Sequence, residues 1–162
     1  MATTKVTSAV IDSPGQLVNR WYAESGAVAT GTTALPIDDT IAQNSEGDQF
    51  LTVTTDTLAN SANRLRVQVL LQMSTSSDGD GAVALFTDSV ANARCVVYHR
   101  QTAENIPMFL QFEYAPGATT AVAFKVRAGS QSGSTTTING TGGSRKYGGT
   151  MISSIVVEEI LP

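Results

Sequence analysis

Apolar and polar residues alternate along several segments of the chain, and this period of two constrains the fold more than any other feature. In residues 120–127, Val122, Phe124 and Val126 fall on one face of an extended chain, and Lys125 and Arg127 fall on the other. The longest alternating segment covers residues 64–73, where the shared face consists of Leu65, Val67, Val69, Leu71 and Met73. Successive side chains of a β-strand point to opposite faces of its sheet, so both segments are predicted to be strands with one buried face.

Candidate strands follow one another along the whole chain, separated by turns rich in Gly, Pro, Asn, Asp and Ser. They cover residues 17–22, 34–37, 50–54, 64–73, 82–87, 94–100, 106–115, 120–128 and 151–160. No segment has an amphipathic helical stripe, and parallel strands would need crossover helices. We therefore predict an all-β, antiparallel, two-sheet jelly-roll sandwich. Residues 1–22 are expected to form an amino-terminal anchor arm and first strand, and residues 23–162 the jelly-roll domain.

Two late segments are apolar on both faces. In residues 106–115, Met108 and Leu110 share a face with Phe112 and Tyr114, while Phe109 lies on the other. Residues 151–160 carry aliphatic side chains at both parities. A face that does not fill the space between the sheets would be an association surface, which predicts a homo-oligomer. The alternative is a monomer whose own chain covers both faces.

Composition excludes several classes of partner. The 162 residues contain ten Lys and Arg and fourteen Asp and Glu, which gives a net charge of −4, and no basic run suggests nucleic-acid binding. No stretch approaches the roughly 20 apolar residues of a membrane span, and the amino terminus lacks a signal-peptide pattern, so folding in the cytoplasm is expected. Cys95 has no second cysteine to pair with and is expected to be a small buried thiol.

The residues that could support catalysis, a cofactor or a metal are few. His99 is the single histidine, and no Gly-x-Ser-x-Gly elbow is present. Residues 140–146 place glycines ahead of Lys146, but the neighbours of that lysine do not match a phosphate-binding loop. Residues 78–81 (Asp-Gly-Asp-Gly) lack the twelfth-position Glu of a calcium loop, and residues 139–141 match a glycosylation sequon but favour a turn. We expect no enzymatic activity, no cofactor and no metal.

Several ordered motifs resemble small bacteriophage virion proteins of the capsid-decoration and tail-fibre type. They are residues 31–41 (GTTALPIDDTI), 47–50 (GDQF), 84–89 (ALFTDS), 124–129 (FKVRAG), 139–140 (NG), 147–149 (YGG) and 151–154 (MISS). The resemblance implies a jelly roll similar to the trimeric heads of tumour necrosis factor and complement-type domains. In that fold, residues 64–73, 106–115 and 150–160 would share the sheet that faces a threefold axis. The expected trimer-interface residues are Phe109, Phe112, Tyr114, Ile155 and Val157.

The leading hypothesis is a trimeric capsid decoration (cement) protein that braces major capsid subunits on the outer surface of the virion. Its partners would be two sister copies and the major capsid protein. The expected capsid anchor consists of Val10, Ile11, Leu17 and Trp21, which could pair by strand addition. The alternative is a tail-fibre or receptor-binding tip that recognises host surface glycans. A polysaccharide hydrolase would need paired carboxylates, and the sequence does not place Asp38, Asp39, Glu104 or Glu113 in such a pair.

Overall fold

A computed structural model describes residues 13–77, 79–101 and 104–162 of the chain, and this part is built almost entirely of strands. The strands are β1 (Leu17–Ser25), β2 (Ala29–Gly31), β3 (Asp48–Thr54), β4 (Arg64–Thr75), β5 (Gly79–Thr87), β6 (Cys95–Gln101), β7 (Ile106–Tyr114), β8 (Ala123–Ser130), β9 (Thr136–Ile138), β10 (Gly140–Thr141), β11 (Ser144–Arg145) and β12 (Ser153–Ile160). A 3-10 turn occupies Tyr147–Gly149. Within these residues no helix has the length and apolar character needed to cross a bilayer.

The first sheet contains the long strands in the order β1-β12-β4-β7, all antiparallel. The last residues of β4 pair with β9, which in turn pairs with β2. Residues 64–73, 106–115 and 150–160 therefore supply neighbouring strands of one sheet. β1 pairs with β12 along its length, so the domain boundary drawn at residue 22 falls inside this strand.

The second sheet has the order β3-β8-β5-β6 and is also antiparallel. The eight long strands are β1, β3, β4, β5, β6, β7, β8 and β12. When these eight alone are numbered 1 to 8 along the chain, their order is 1-8-3-6 in the first sheet and 2-7-4-5 in the second. This alternation between sheets is the double Greek key of a jelly roll. The predicted fold class is confirmed.

The hydrophobic core fills the space between the two sheets. Val67 and Val69 of β4 belong to the same buried cluster as Phe124 and Val126 of β8, and all four are fully buried. The ring of Tyr114 packs edge-on against that of Phe124, with centroids 6.1 Å apart. Burial of each large aliphatic or aromatic side chain contributes about 1.5–3 kcal/mol, which makes this layer the main source of stability.

The chain covers the central part of the outer face of the second sheet, at β5 and β8, with its own loop, residues 32–47. Leu35 and Ala42 of the loop pack on Ala82, Ala84 and Phe86 of β5, and all five are buried. The loop approaches β8 so closely that a Cβ on Gly129 would lie 2.6 Å from the carbonyl oxygen of Thr33. Small residues at these positions thus allow the loop to lie directly on the sheet.

Two buried polar side chains join the loops to the first sheet. Glu159 is fully buried, and its carboxylate accepts hydrogen bonds from the amides of Asn19 and Asn63 and from the backbone N–H of Ala59. Asn139 is also fully buried and has a positive φ of 58°. The residue is therefore inaccessible as a glycosylation site, in agreement with the predicted turn.

Candidate functional site

The outer face of the first sheet is the candidate functional site, because it is formed by the strands predicted to meet in an oligomer. Strand register places its side chains in rows across β1, β12, β4 and β7. The rows are Arg20–Glu158–Arg66–Glu113, then Tyr22–Val156–Gln68–Gln111, then Glu24–Ser154–Leu70–Phe109. All twelve side chains are exposed or half-buried, so the described chain leaves this face open to solvent.

The first row alternates in charge. Glu113 forms ion pairs with Arg66, at 3.4 Å, and with Arg64, at 3.1 Å. The three partners are substantially exposed, so the pairs add little to stability. The ion pairs hold these side chains in an alternating order of charge along this edge of the face. A partner would have to align with that order.

The other two rows contain the apolar part of the face. Phe109 is 57% exposed on the edge strand β7 and lies directly opposite the half-buried Leu70 of β4. Tyr22 is 59% exposed on β1 opposite Val156, and the guanidinium carbon of Arg20 lies 5.2 Å from its ring centroid. We call Tyr22, Val156, Leu70 and Phe109 the outer strip.

The structure separates the five predicted interface residues. Phe109 belongs to the outer strip, as an interface residue should. Phe112 and Tyr114 point to the other side of β7 and pack, partly buried, against the core. Ile155 and Val157 are fully buried between the sheets of the single chain. The prediction of Ile155 and Val157 as interface residues is therefore wrong, because neither side chain has exposed surface with which to contact a second subunit.

The predicted anchor residues are also separated. Val10 and Ile11 lie outside the described residues. Leu17 is 50% exposed at the start of β1. Trp21 packs against the core from the inner face of β1, and its indole N–H donates to the Asp56 carboxylate at 3.1 Å. Trp21 therefore makes its contacts within the subunit's own fold, and this corrects its prediction as an anchor residue.

The residues considered for chemistry have local partners. The Asp38 carboxylate accepts hydrogen bonds from the Thr40 hydroxyl and backbone N–H, and these bonds lower the pKa of Asp38. The imidazole Nδ1 of His99 lies 2.6 Å from the carbonyl oxygen of Arg100 on the same exposed strand. Burial raises the pKa of the Cys95 thiol, which makes it a weaker nucleophile at neutral pH. Asp78, proposed for a calcium loop, lies outside the described residues, and among those that are described no three His, Cys, Asp or Glu side chains cluster as metal ligands.

Comparisons with known proteins find similarity of fold. Neither a protein-family model nor a curated protein matches the sequence. One similar solved structure is the CBM36-1 domain of a multidomain xylanase from the hindgut metagenome of Trinervitermes trinervoides, with a TM-score of 0.45 and 10% identity over 86% of this chain and 96% of that chain. A second is Eiger TNF from S. frugiperda, with a TM-score of 0.43 and 10% identity over 86% and 92%. A third is the carbohydrate-binding module CBM36 in complex with calcium and xylotriose, with a TM-score of 0.40 and 16% identity over 85% and 98%.

These structural neighbours are jelly-roll-like domains, two of them carbohydrate-binding modules and one a tumour necrosis factor domain. None of the three is described as a bacteriophage protein.

Sequence reasoning missed most of the outer strip. Tyr22 and Val156 join Phe109 only through the pairing of β1 with β12 and of β12 with β4. One signal was available: Tyr22 alternates with Trp21 and Ala23, so its parity already placed it on the face opposite to theirs.

Proposed function

We propose that the protein is a non-catalytic structural subunit that assembles as a homotrimer through the outer face of its first sheet. We further propose that the trimer is a capsid decoration protein on the outer surface of a bacteriophage virion, where it braces major capsid subunits. The resemblance of the motifs to virion proteins supports the second step.

The contrast between the two sheets carries the assembly proposal. Residues 32–47 cover the β5 part of the second sheet and leave Val96 and Tyr98 of β6 exposed, whereas the first sheet has no covering loop within the described residues. Its outer strip instead exposes more than half of Phe109 and of Tyr22. Removing one large aromatic side chain from water contributes about 1.5–3 kcal/mol, so contact between these strips would stabilise an assembly.

The polar side chains of the same face favour a specific interface over non-specific association. The side-chain amide of Gln68 donates to that of Gln111 at 3.3 Å, and each amide retains further donors and acceptors. Together with the charged row, these groups would require a defined alignment of the subunits, since a misaligned copy would leave charges buried without partners.

The edge of the first sheet offers a route to the capsid. β1 pairs with β12 on one side, and Leu17 is exposed at its start. A strand from a capsid subunit could add to the side of β1 that pairs with no described strand, while residues 1–12, with Val10 and Ile11, would extend the contact.

Light scattering on the full-length protein tests the assembly. We expect a mass three times that of the 16.9 kDa chain. Phe109→Asp should weaken association about tenfold or more per contact, because a side chain that is 57% exposed can bury about 1–2 kcal/mol of further apolar surface and the new charge must be desolvated. The matched control is Tyr98→Asp, which changes a side chain 65% exposed on the second sheet and should leave the trimer intact. A monomeric wild-type protein at micromolar concentration would contradict the proposal, as would a fully trimeric Phe109→Asp variant.

The copy number of the protein in purified virions tests its location. A decoration protein should be present in many copies that remain with the capsid when tails are removed. A few copies that separate with the tail would favour the tail-fibre or receptor-binding alternative. Absence from virions would reject both locations and leave the assembly proposal to be tested by light scattering.

A further inference from the structure

A groove of about 480 Å³ opens beside the outer strip, at the end of the first sheet where β7 begins. Its lining includes Gln72 of β4 with Pro107 of β7, then Glu104 with Asn105, and then Lys146 with Tyr147. Lys146 and Tyr147 belong to the excursion between β9 and β12, which contains the β10–β11 hairpin and the 3-10 turn. Gln72 pairs with Pro107 in the row next to Leu70–Phe109 on the same face of the sheet, so the groove adjoins the outer strip.

The polar side chains of the groove are available to a ligand. Among the described residues, the side chains of Gln72, Glu104 and Lys146 have no hydrogen-bond or ion-pair partner. The Asn105 amide makes one long contact, 3.5 Å from the carbonyl oxygen of Gly140. The groove therefore presents two amides that both donate and accept, one carboxylate that accepts and one ammonium group that donates.

Tyr147 presents an aromatic ring at the rim. It is 79% exposed and has a positive φ of 49°, which is unfavourable for a bulky residue. Its carbonyl oxygen accepts hydrogen bonds from the backbone N–H and the hydroxyl of Thr150, at 3.1 and 2.8 Å. Gly148 and Gly149 also have positive φ, so the turn is built to hold this conformation. An exposed ring held at a conformational cost of about 1–3 kcal/mol points to a function for the ring.

The chemistry of the groove selects one class of ligand. Lys146 and Glu104 balance each other, so a phosphate or another polyanion would find no excess of positive charge. Sugar hydroxyls donate and accept hydrogen bonds at once, as do the side-chain amides of Gln72 and Asn105. The C–H face of a pyranose is apolar and can lie against an aromatic ring. We propose that this groove binds a neutral oligosaccharide, with Tyr147 stacking on a sugar ring and Gln72, Asn105 and Glu104 bonding its hydroxyls.

Saturation-transfer NMR on the full-length protein tests the proposal directly. The probes are neutral tetrasaccharides of glucose, galactose, mannose and N-acetylglucosamine, each at a concentration of about 1 mM, where weak single-site binding is detectable. We expect transfer to at least one of them. Tyr147→Asn removes the ring but tolerates positive φ, and it should weaken binding about tenfold or more. Gln72→Ala should weaken it by a similar factor.

Tyr98→Ala is the matched control, since it removes an exposed aromatic ring that lies on the other sheet and outside the groove. It should leave binding unchanged. Light scattering should show Tyr147→Asn in the same oligomeric state as wild type, which separates this proposal from the assembly proposal. The inference is overturned if none of the four sugars shows transfer, if Tyr147→Asn binds as well as wild type, or if Tyr98→Ala weakens binding equally.

Discussion

Asn139 links three separate parts of the first sheet, and its replacement tests how the groove-bearing excursion is attached to the core. Its side-chain amide donates to the carbonyl oxygens of Ser25 and Ala27, at 2.7 and 2.9 Å, and accepts from the Ser153 hydroxyl at 2.7 Å. Its backbone N–H donates to the carbonyl oxygen of Gln72. Asn139 thus bridges the point on β4 where pairing changes from β12 to β9.

Asn139→Gly isolates the side chain, because glycine adopts the positive φ without strain. Three side-chain hydrogen bonds are lost, each with a net contribution of about 1 kcal/mol. The added backbone freedom of glycine costs about 0.5–1 kcal/mol more. We therefore expect the free energy of unfolding to fall by about 3–4 kcal/mol. Asn139→Ala should lose a further 1 kcal/mol or so, since a Cβ is unfavourable at this φ.

Urea denaturation followed by circular dichroism measures these differences. Wild type and both variants must be compared at one protein concentration, because assembly adds to apparent stability. A loss of less than about 1 kcal/mol in Asn139→Gly would show that water replaces the three bonds and would refute the reasoning. An Asn139→Ala variant more stable than Asn139→Gly would refute the claim that a Cβ is unfavourable at the positive φ of this position.

Three other changes test contacts elsewhere in the molecule. Phe112→Asp should abolish the β-sheet circular dichroism signal, because it places a charge against the core; a folded but monomeric variant would instead support an interface role for Phe112. Glu159→Ala should lower the free energy of unfolding by about 3 kcal/mol, since three donors lose their buried acceptor; an unchanged urea midpoint would argue against this. Cys95 should react with iodoacetamide more slowly than free cysteine at about pH 8, because burial raises the pKa of its thiol and lowers the thiolate fraction. The rate, measured by mass spectrometry, should increase as the pH rises. A Cys95 that reacts as fast as free cysteine would contradict this effect of burial.

The alternating segments predicted the strands well because parity depends only on local sequence. Residues 64–73 form most of β4, with every second side chain fully buried as expected. Parity also explains β12, where Ile155 and Val157 face the core and Val156 faces outward. The sequence could not say which parity faces the second sheet, because that depends on which strands pair across the chain. This is why buried and exposed residues of β7 and β12 were predicted together as one interface.

Tertiary cover explains a second difference between pattern and structure. Ala82, Ala84 and Phe86 lie on the outer face of β5, yet they are buried, because residues 32–47 fold over them. Together with Val83 and Leu85 they form a run of consecutive apolar residues. Such a run indicates that both faces of the strand are buried. The same signal in β12 was attributed to sister subunits. A local pattern indicates that a face is apolar, and it does not identify what covers that face.

The mixed character of the outer face suits assembly better than a uniformly apolar face would. A subunit must stay soluble after folding, and the charged row beside the outer strip keeps the apolar patch small. Specific interfaces between separately folded subunits are about as apolar as ordinary protein surface, and a few buried aromatic residues contribute most of the binding energy. Phe109 fits that description, since it is a large hydrophobic side chain exposed on β7 and has a half-buried apolar neighbour in Leu70. We therefore expect one charge at this position to abolish the proposed assembly and to leave the fold intact.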